Sequence, residues 1–344
     1  MPVPRIDDSE ELADLIEEET DIDWSKARNQ LSELTTEGLL ALMSELGLYV
    51  NRRLALEIAD RRDAVFQLRR LLQDGANWSD SDTTSWWAPI HSIHILSLIK
   101  GPEALRLLLE VVRFRAEDLG DYITDDVAAL LYSFGPEAFE ALKEFTLDET
   151  LPAFARAAAL SAMVARAMKD FTFRAGAVEH LRALLRDTKD TLFATLLADD
   201  LIGLDRSTLP EVLAAYRKGR IDPTFNPEDE IMELAAGGFD DVTQMELEMD
   251  TKDPLDHFTR KNILHLREVQ RSWDGADEED DEEELLDELA DGEPALEDSE
   301  GGEGLTKEGA GKEGAGKNGP SKNAPCPCGS GKKYKRCCMT KPTR

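Results

Sequence analysis

Four cysteines carry the clearest chemistry in this chain of 344 residues, and all four lie within the last 19. They read Cys326-x-Cys328-x8-Cys337-Cys338. Two close pairs separated by a short loop can bring four thiolates onto one tetrahedral ion, and Gly329 and Gly331 let the backbone reverse between them. Four ligands leave no open position for water or substrate, so the expected metal is one structural Zn²⁺. The competing reading is a redox dithiol or disulfide tail. Lys332, Lys333, Lys335 and Arg336 lie between the pairs and favour the thiolate forms. Gly329-Ser330-Gly331-Lys332-Lys333 is not a phosphate-binding loop, because position 326 is Cys where the first Gly belongs and Lys333 replaces the magnesium-binding hydroxyl.

This segment resembles the SEC-C motif, named for the C-terminus of the bacterial protein-export ATPase. In that family the ligands are Cys-x-Cys and, eight residues on, Cys followed by His or Cys, which fall here on Cys326, Cys328, Cys337 and Cys338. The resemblance covers the last 20 or so residues, and the rest of the chain has no motor-sized domain or phosphate loop. It implies zinc, and contact with an acidic protein surface or a ribosome, with Lys332, Lys333, Lys335 and Arg336 as the contacting cations. Two other roles stand for those cations: they offset thiolate charge, or they fold the tip back onto the chain's own acidic linker or body.

Other constellations are weaker. His91 and His94 share a helix face three residues apart, but no third ligand can be named for them, and neutral histidines packed between helices are expected. Asp125-Asp126 and Asp199-Asp200 are adjacent carboxylates without a nucleophile or base beside them. Asp125-Asp126 is expected to complement the dipole of a helix capped by Thr124. Trp86-Trp87 is expected in the core, with a recognition edge as the alternative. His257 and His265 are too far apart on one helix to form a local site.

Charge divides the chain into three zones. The formal net charge is -31, from 40 Lys+Arg against 71 Asp+Glu. Residues 274–303 carry 17 acids and no base, residues 304–344 carry a net +8, and the remainder carries -22. The acidic body excludes a general polyanion-coating role, so nucleic acid is expected only through the tail. The segment 274–324, acidic and then rich in Gly and Lys, is expected to be a disordered linker with a reach of roughly 40 Å. No apolar run reaches the length of a membrane span, and the N-terminus lacks the apolar stretch of a secretory signal. A cytoplasmic location follows as the expectation.

The elements that must position these groups read as helices from Asp8 to Gly219, with apolar residues recurring at three and four and no convincing alternation. Leu54, Ile58, Val65, Leu68 and Leu72 predict one long helix closed by a left-handed Gly75. Gly101-Pro102-Glu103-Ala104 recurs as Gly135-Pro136-Glu137-Ala138, an offset of 34 that brings Leu96 onto Leu130 and Leu108 onto Leu142. Each Gly should end one helix and each Pro start the next. This predicts helix pairs near 88–115, 121–146, 151–186 and 189–219 stacked as an α-solenoid. With Trp87-Ala88-Pro89-Ile90-His91 ahead of it, the stretch resembles HEAT-like repeats. A final helix is expected over Asp253 to Ser272, carrying Phe258, Ile263, Leu266 and Val269, while Met232 to Met249 gives no clear signal.

The fold expected is therefore all-α: an N-terminal helical region (1–85), HEAT-like repeats (86–220), a helical extension (221–273), the linker (274–324) and the zinc knob (325–344). The function expected is a non-enzymatic scaffold or adaptor. The alternatives are an enzyme with its site on the helical surface and a nucleic-acid module acting through the tail.

Overall fold

The protein is described by a computed structural model over residues 12–78, 86–237 and 240–271. The four cysteines, the cations between them and the linker lie outside the described residues. Described residues up to Ile263 belong to one compact unit and those from Leu264 to a second. Among the described residues the structure is all-α, with no strand.

The N-terminal region holds α1 (Ala13–Glu19), α2 (Trp24–Ala27), α3 (Thr36–Leu46), α4 (Arg52–Ala59) and α5 (Ala64–Gln73). The stripe expected to make one long helix makes two. A continuous helix would carry Ala64 about 120° round from Ile58, off the buried side. Breaking the chain after α4 restores both residues, with Leu68 and Leu72, to the core. Side chains hold the break open: Arg61 donates to the Leu31 carbonyl at 2.9 Å and to Glu57 at 2.7 Å, and the Thr36 hydroxyl donates to Asp63 at 2.5 Å. Gly75 opens a 3₁₀ turn, Gly75–Trp78, and is absent from the left-handed positions among the described residues, so the expected cap does not form.

Four helix pairs follow. They are α6 (Trp87–Ile99) with α7 (Gly101–Phe114), α8 (Tyr122–Asp125) and α9 (Val127–Ser133) with α10 (Phe139–Thr146), α11 (Ala153–Lys169) with α12 (Phe171–Asp187), and α13 (Thr191–Leu204) with α14 (Leu209–Arg217). Gly101 (φ 79°) and Gly135 (φ 87°) both take a positive φ directly ahead of a proline in the first turn of the next element. Hydrogen bonds tie each pair to the next at a near-constant spacing. Ser133 donates to the Ser97 carbonyl at 3.3 Å, Arg166 to the Tyr132 carbonyl at 2.9 Å and Arg220 to the Arg186 carbonyl at 3.1 Å. Thr146 meets His180 at 2.8 Å, and Arg113 pairs with Asp148. All these links span 34 to 36 residues.

α11 lies at the centre, against α8, α9, α10, α12, α13 and α16 (Asp240–Asp250). Its buried residues include Ala155, Ala158, Ala159, Ala162, Ala165 and Ala167, small side chains that let neighbouring backbones approach. α15 (Glu228–Ala236) packs on α13 and α14. The helix expected from Asp253 to Ser272 is interrupted. Asp253 caps a 3₁₀ turn, Pro254–Phe258, by accepting from the Leu255 N–H at 2.9 Å. Thr259 is extended (ψ 149°), and helix resumes only from residue 260 to residue 271, with Ser272 outside the described residues. Phe258 and Ile263 are buried, Leu266 and Val269 half-buried.

One cation sits inside the core. Arg156 is 1% exposed, donates from Nε to the Thr146 carbonyl at 2.9 Å and lies 3.7 Å above the Phe193 ring, with its Nη1 unpartnered. A lysine keeps the charge but loses both the fixed N–H and the planar stack. Arg156→Lys is therefore expected to lower stability by about 2–3 kcal/mol in urea unfolding; an unchanged midpoint would show that the stacked guanidinium contributes nothing.

Candidate functional site

The densest group of chemically capable side chains in the described residues lies where α6 meets the turn Pro254–Phe258. α6 is buried on all sides, continuously from Trp87 to Ser97. Two of its serines return their hydroxyls to the helix, Ser92 to Ala88 and Ser97 to Ile93. His91 and His94 have no water to turn to. His91 Nε2 lies 2.7 Å from the Gly47 carbonyl, which can only accept, so Nε2 carries the proton. Nδ1 is then a lone pair, and His257 Nε2, 2.9 Å away, donates to it. The His94 ring stacks on His257 with centroids 3.8 Å apart and planes 14° apart. Both of its nitrogens are buried without a hydrogen bond of normal geometry, although the Pro254 backbone is within electrostatic reach.

Burial is the first cause of the depressed basicity of all three. His91 is held down to about 3, against a partial restoring effect of the Gly47 carbonyl. His94 is held at about 4, with Asp126 opposing the shift and Lys252 adding to it. His257 falls well below its ordinary value, with His94 and His91 reinforcing burial. The cluster is thus three neutral rings. Among the described residues no group of three or more His, Cys, Asp or Glu is arranged to hold a metal ion. The 3₁₀ turn also overturns the placement of His257 and His265 on one helix: His257 is buried against α6, and His265 is exposed.

Neighbouring groups complete the environment. Trp87 is buried and stacks on His91, with ring centroids 5.9 Å apart, while Trp86 is half-exposed, 4.5 Å from Trp87 and 6.3 Å from Tyr122. Thr124 does not cap a helix as expected. It lies within α8 and donates to the Asp121 carbonyl, while Asp126 precedes α9 and pairs with Lys252. Lys252 also donates to the Asp125 carbonyl at 2.9 Å, and Asp125 itself is raised above its ordinary value, chiefly by burial.

A second group lies between α13 and α16. Asp199 accepts from Asn226 at 2.5 Å and is pushed up to about 6, since its carboxyl is withdrawn from water although the residue as a whole stays exposed. Asp200 is half-buried and raised well above the carboxylate range by desolvation, with Asp250, Asp199 and Glu246 adding like charge. Desolvation raises Glu246 as well, and desolvation with like charge brings Asp250 to about 6. The sequence paired only Asp199 with Asp200; Glu246 and Asp250 join them through a packing that no local signal announces.

A carboxyl whose folded value is raised favours the fold at low pH and loses that contribution as pH rises through the folded value. Asp200→Asn should therefore raise the urea midpoint at pH 7.5, and the gain over the parent should shrink at pH 4.5. A variant destabilised equally at both values would show that the carboxylate is needed as an ion.

No curated protein matches the chain, and no solved structure matches it. A family model, the SEC-C motif, matches residues 323–340, the segment that contains Cys326, Cys328, Cys337 and Cys338. The chain thus carries a SEC-C motif at residues 323–340, after a region that is all-α over its described residues.

Proposed function

We propose that this protein is a cytoplasmic helical scaffold or adaptor whose SEC-C tail binds one structural zinc ion and docks on an acidic protein surface or a ribosome. The observation that carries the reading is the Cys-x-Cys-x8-Cys-Cys spacing inside the matched segment, a donor set of four thiolates suited to tetrahedral Zn²⁺. Bound there, zinc supplies cross-linking to a segment too short to build a core. Cys326 and Cys328 hold one side of the ion, and Cys337 and Cys338 the other. Lys332, Lys333, Lys335 and Arg336 then form a cationic rim within residues 304–344, a stretch of net +8, and the 17 acids of residues 274–303 lie between that stretch and an acidic body. The body is read as a HEAT-like array, supported by the recurring 34-to-36-residue links between successive helix pairs.

Metal analysis of the purified full chain should give one zinc per molecule, and the double variant Cys337→Ser, Cys338→Ser should give none. Co-sedimentation with ribosomes, and pull-down with an acidic chaperone surface as the parallel arm, should be lost in that variant. Both should also be lost in Lys332→Glu, Lys333→Glu, which keeps its zinc. Equal capture by all three proteins would remove the tail as the recognition element.

A further inference from the structure

We propose that His91, His94 and His257 form a latch that proton uptake opens, releasing the turn Pro254–Phe258 from α6. A proton added at His91 finds no acceptor inside the closed cluster. His91 is committed at both nitrogens, donating to Gly47 and accepting from His257, so protonating its Nδ1 sets two N–H groups face to face across 2.9 Å. His94 has no hydrogen bond of normal geometry at either nitrogen, only the Pro254 backbone of the turn itself in reach, and a charged His94 would lie on the His257 ring at 3.8 Å. Phe258 closes the cluster, with centroids 5.6 Å from His91, 6.1 Å from His94 and 4.9 Å from His257.

The surrounding elements do not compensate. The buried residues of α3, α4, α5 and α7 are apolar apart from Thr36, and the buried Asn51 caps α4 with its side-chain oxygen, which accepts from the Arg53 and Leu54 N–H groups; none of these carries a charge. From the start of α9, Asp126 is the one carboxylate acting to favour a charged His94, and it is already paired with Lys252. Lys252 in turn opposes charge on His94 and His257. Asp125 offers Lys252 its carbonyl, and on the α4 side Asp256 pairs with Arg52 at 3.3 Å.

The turn can leave without unravelling a helix. Its own backbone bonds are local, Asp256 N–H to Asp253 and Thr259 N–H to Asp256. Its ties to the body include the His257 and Phe258 side chains, the buried Pro254 beside His94 and the Arg52–Asp256 pair, with Lys252 holding Asp126 just before it. A segment with no backbone ladder to the body and held chiefly by side chains is a low-cost opening unit. Histidines freed to water titrate near 6.5, so at pH 5.5 each released ring favours the open form by about 11-fold and three by on the order of 10³. The sign follows from the depressed values: the closed form is fully favoured above 6.5 and loses ground as pH falls below it. The carboxyls of α13 and α16 respond in the opposite sense, so acid loosens the turn while tightening the helix that precedes it.

Hydrogen exchange of the full chain, followed by mass spectrometry at pH 7.5 and 5.5 and corrected for intrinsic exchange, tests this. Protection in peptides covering 253–263 should fall at least tenfold and up to about 10³-fold, while peptides from α11 and α13 change less than threefold. His257→Phe, which keeps a ring in place but removes one of the three titrating groups, should lose about tenfold less protection at pH 5.5. Unchanged protection in the unmodified chain, an equal loss in α11, or the same response in His257→Phe would each overturn the latch. Should that variant not fold, histidine ring NMR on the unmodified chain decides. Three rings titrating together with the exposure of 253–263 support the latch, and rings that titrate near 6.5 while those amides stay protected refute it.

Discussion

A helix surrounded by other helices must present something packable on every side, and this body depends on two helices that meet the demand differently. α11 does so with small side chains: alanine at seven of its buried positions lets α9, α10, α12 and α13 approach its backbone. α6 does so with bulk, burying isoleucines, Trp87 and two histidines in an unbroken run. Around these axes the outer helices need only one apolar face each, as α7 and α4 show with their buried aliphatic stripes.

Enclosure has an electrostatic consequence. Charge inside such a core must be stacked and hydrogen-bonded, as Arg156 is over Phe193 and against Thr146, or must be given up. The histidines of α6 give it up, and their neutrality lets His257 stack on His94 and bond to His91. The carboxyls where α13 meets α16 are pushed the same way by burial, toward the neutral form, but for an acid that form carries the proton. Two regions of one body therefore respond to acid with opposite signs, for a single physical reason.

Much of the fold was legible because glycine and proline are local instructions. Gly101-Pro102 and Gly135-Pro136 mark turns whose φ values of 79° and 87° few other residues adopt, and the 34-residue offset between them recurs in the hydrogen bonds that join successive pairs. The break between α4 and α5 was not legible, since the apolar spacing ran through it. What opens it is the bonding of Arg61 to Leu31 and of Asp63 to Thr36, partners 27 to 30 residues away. The interruption at Thr259 hid inside a helical pattern in the same way, and with it the destination of His257.

From sequence alone come the all-α class, the turns that divide the helices, the three charge zones and the four-cysteine SEC-C segment at 323–340, because each rests on local periodicity, composition or spacing. Only the tertiary structure decides that His257 meets His91 and His94 across 166 and 163 residues, or that Glu246 and Asp250 join Asp199 and Asp200. Those meetings depend on which faces pack together and how much water they exclude. A group's charge is set by that exclusion as much as by its own chemistry.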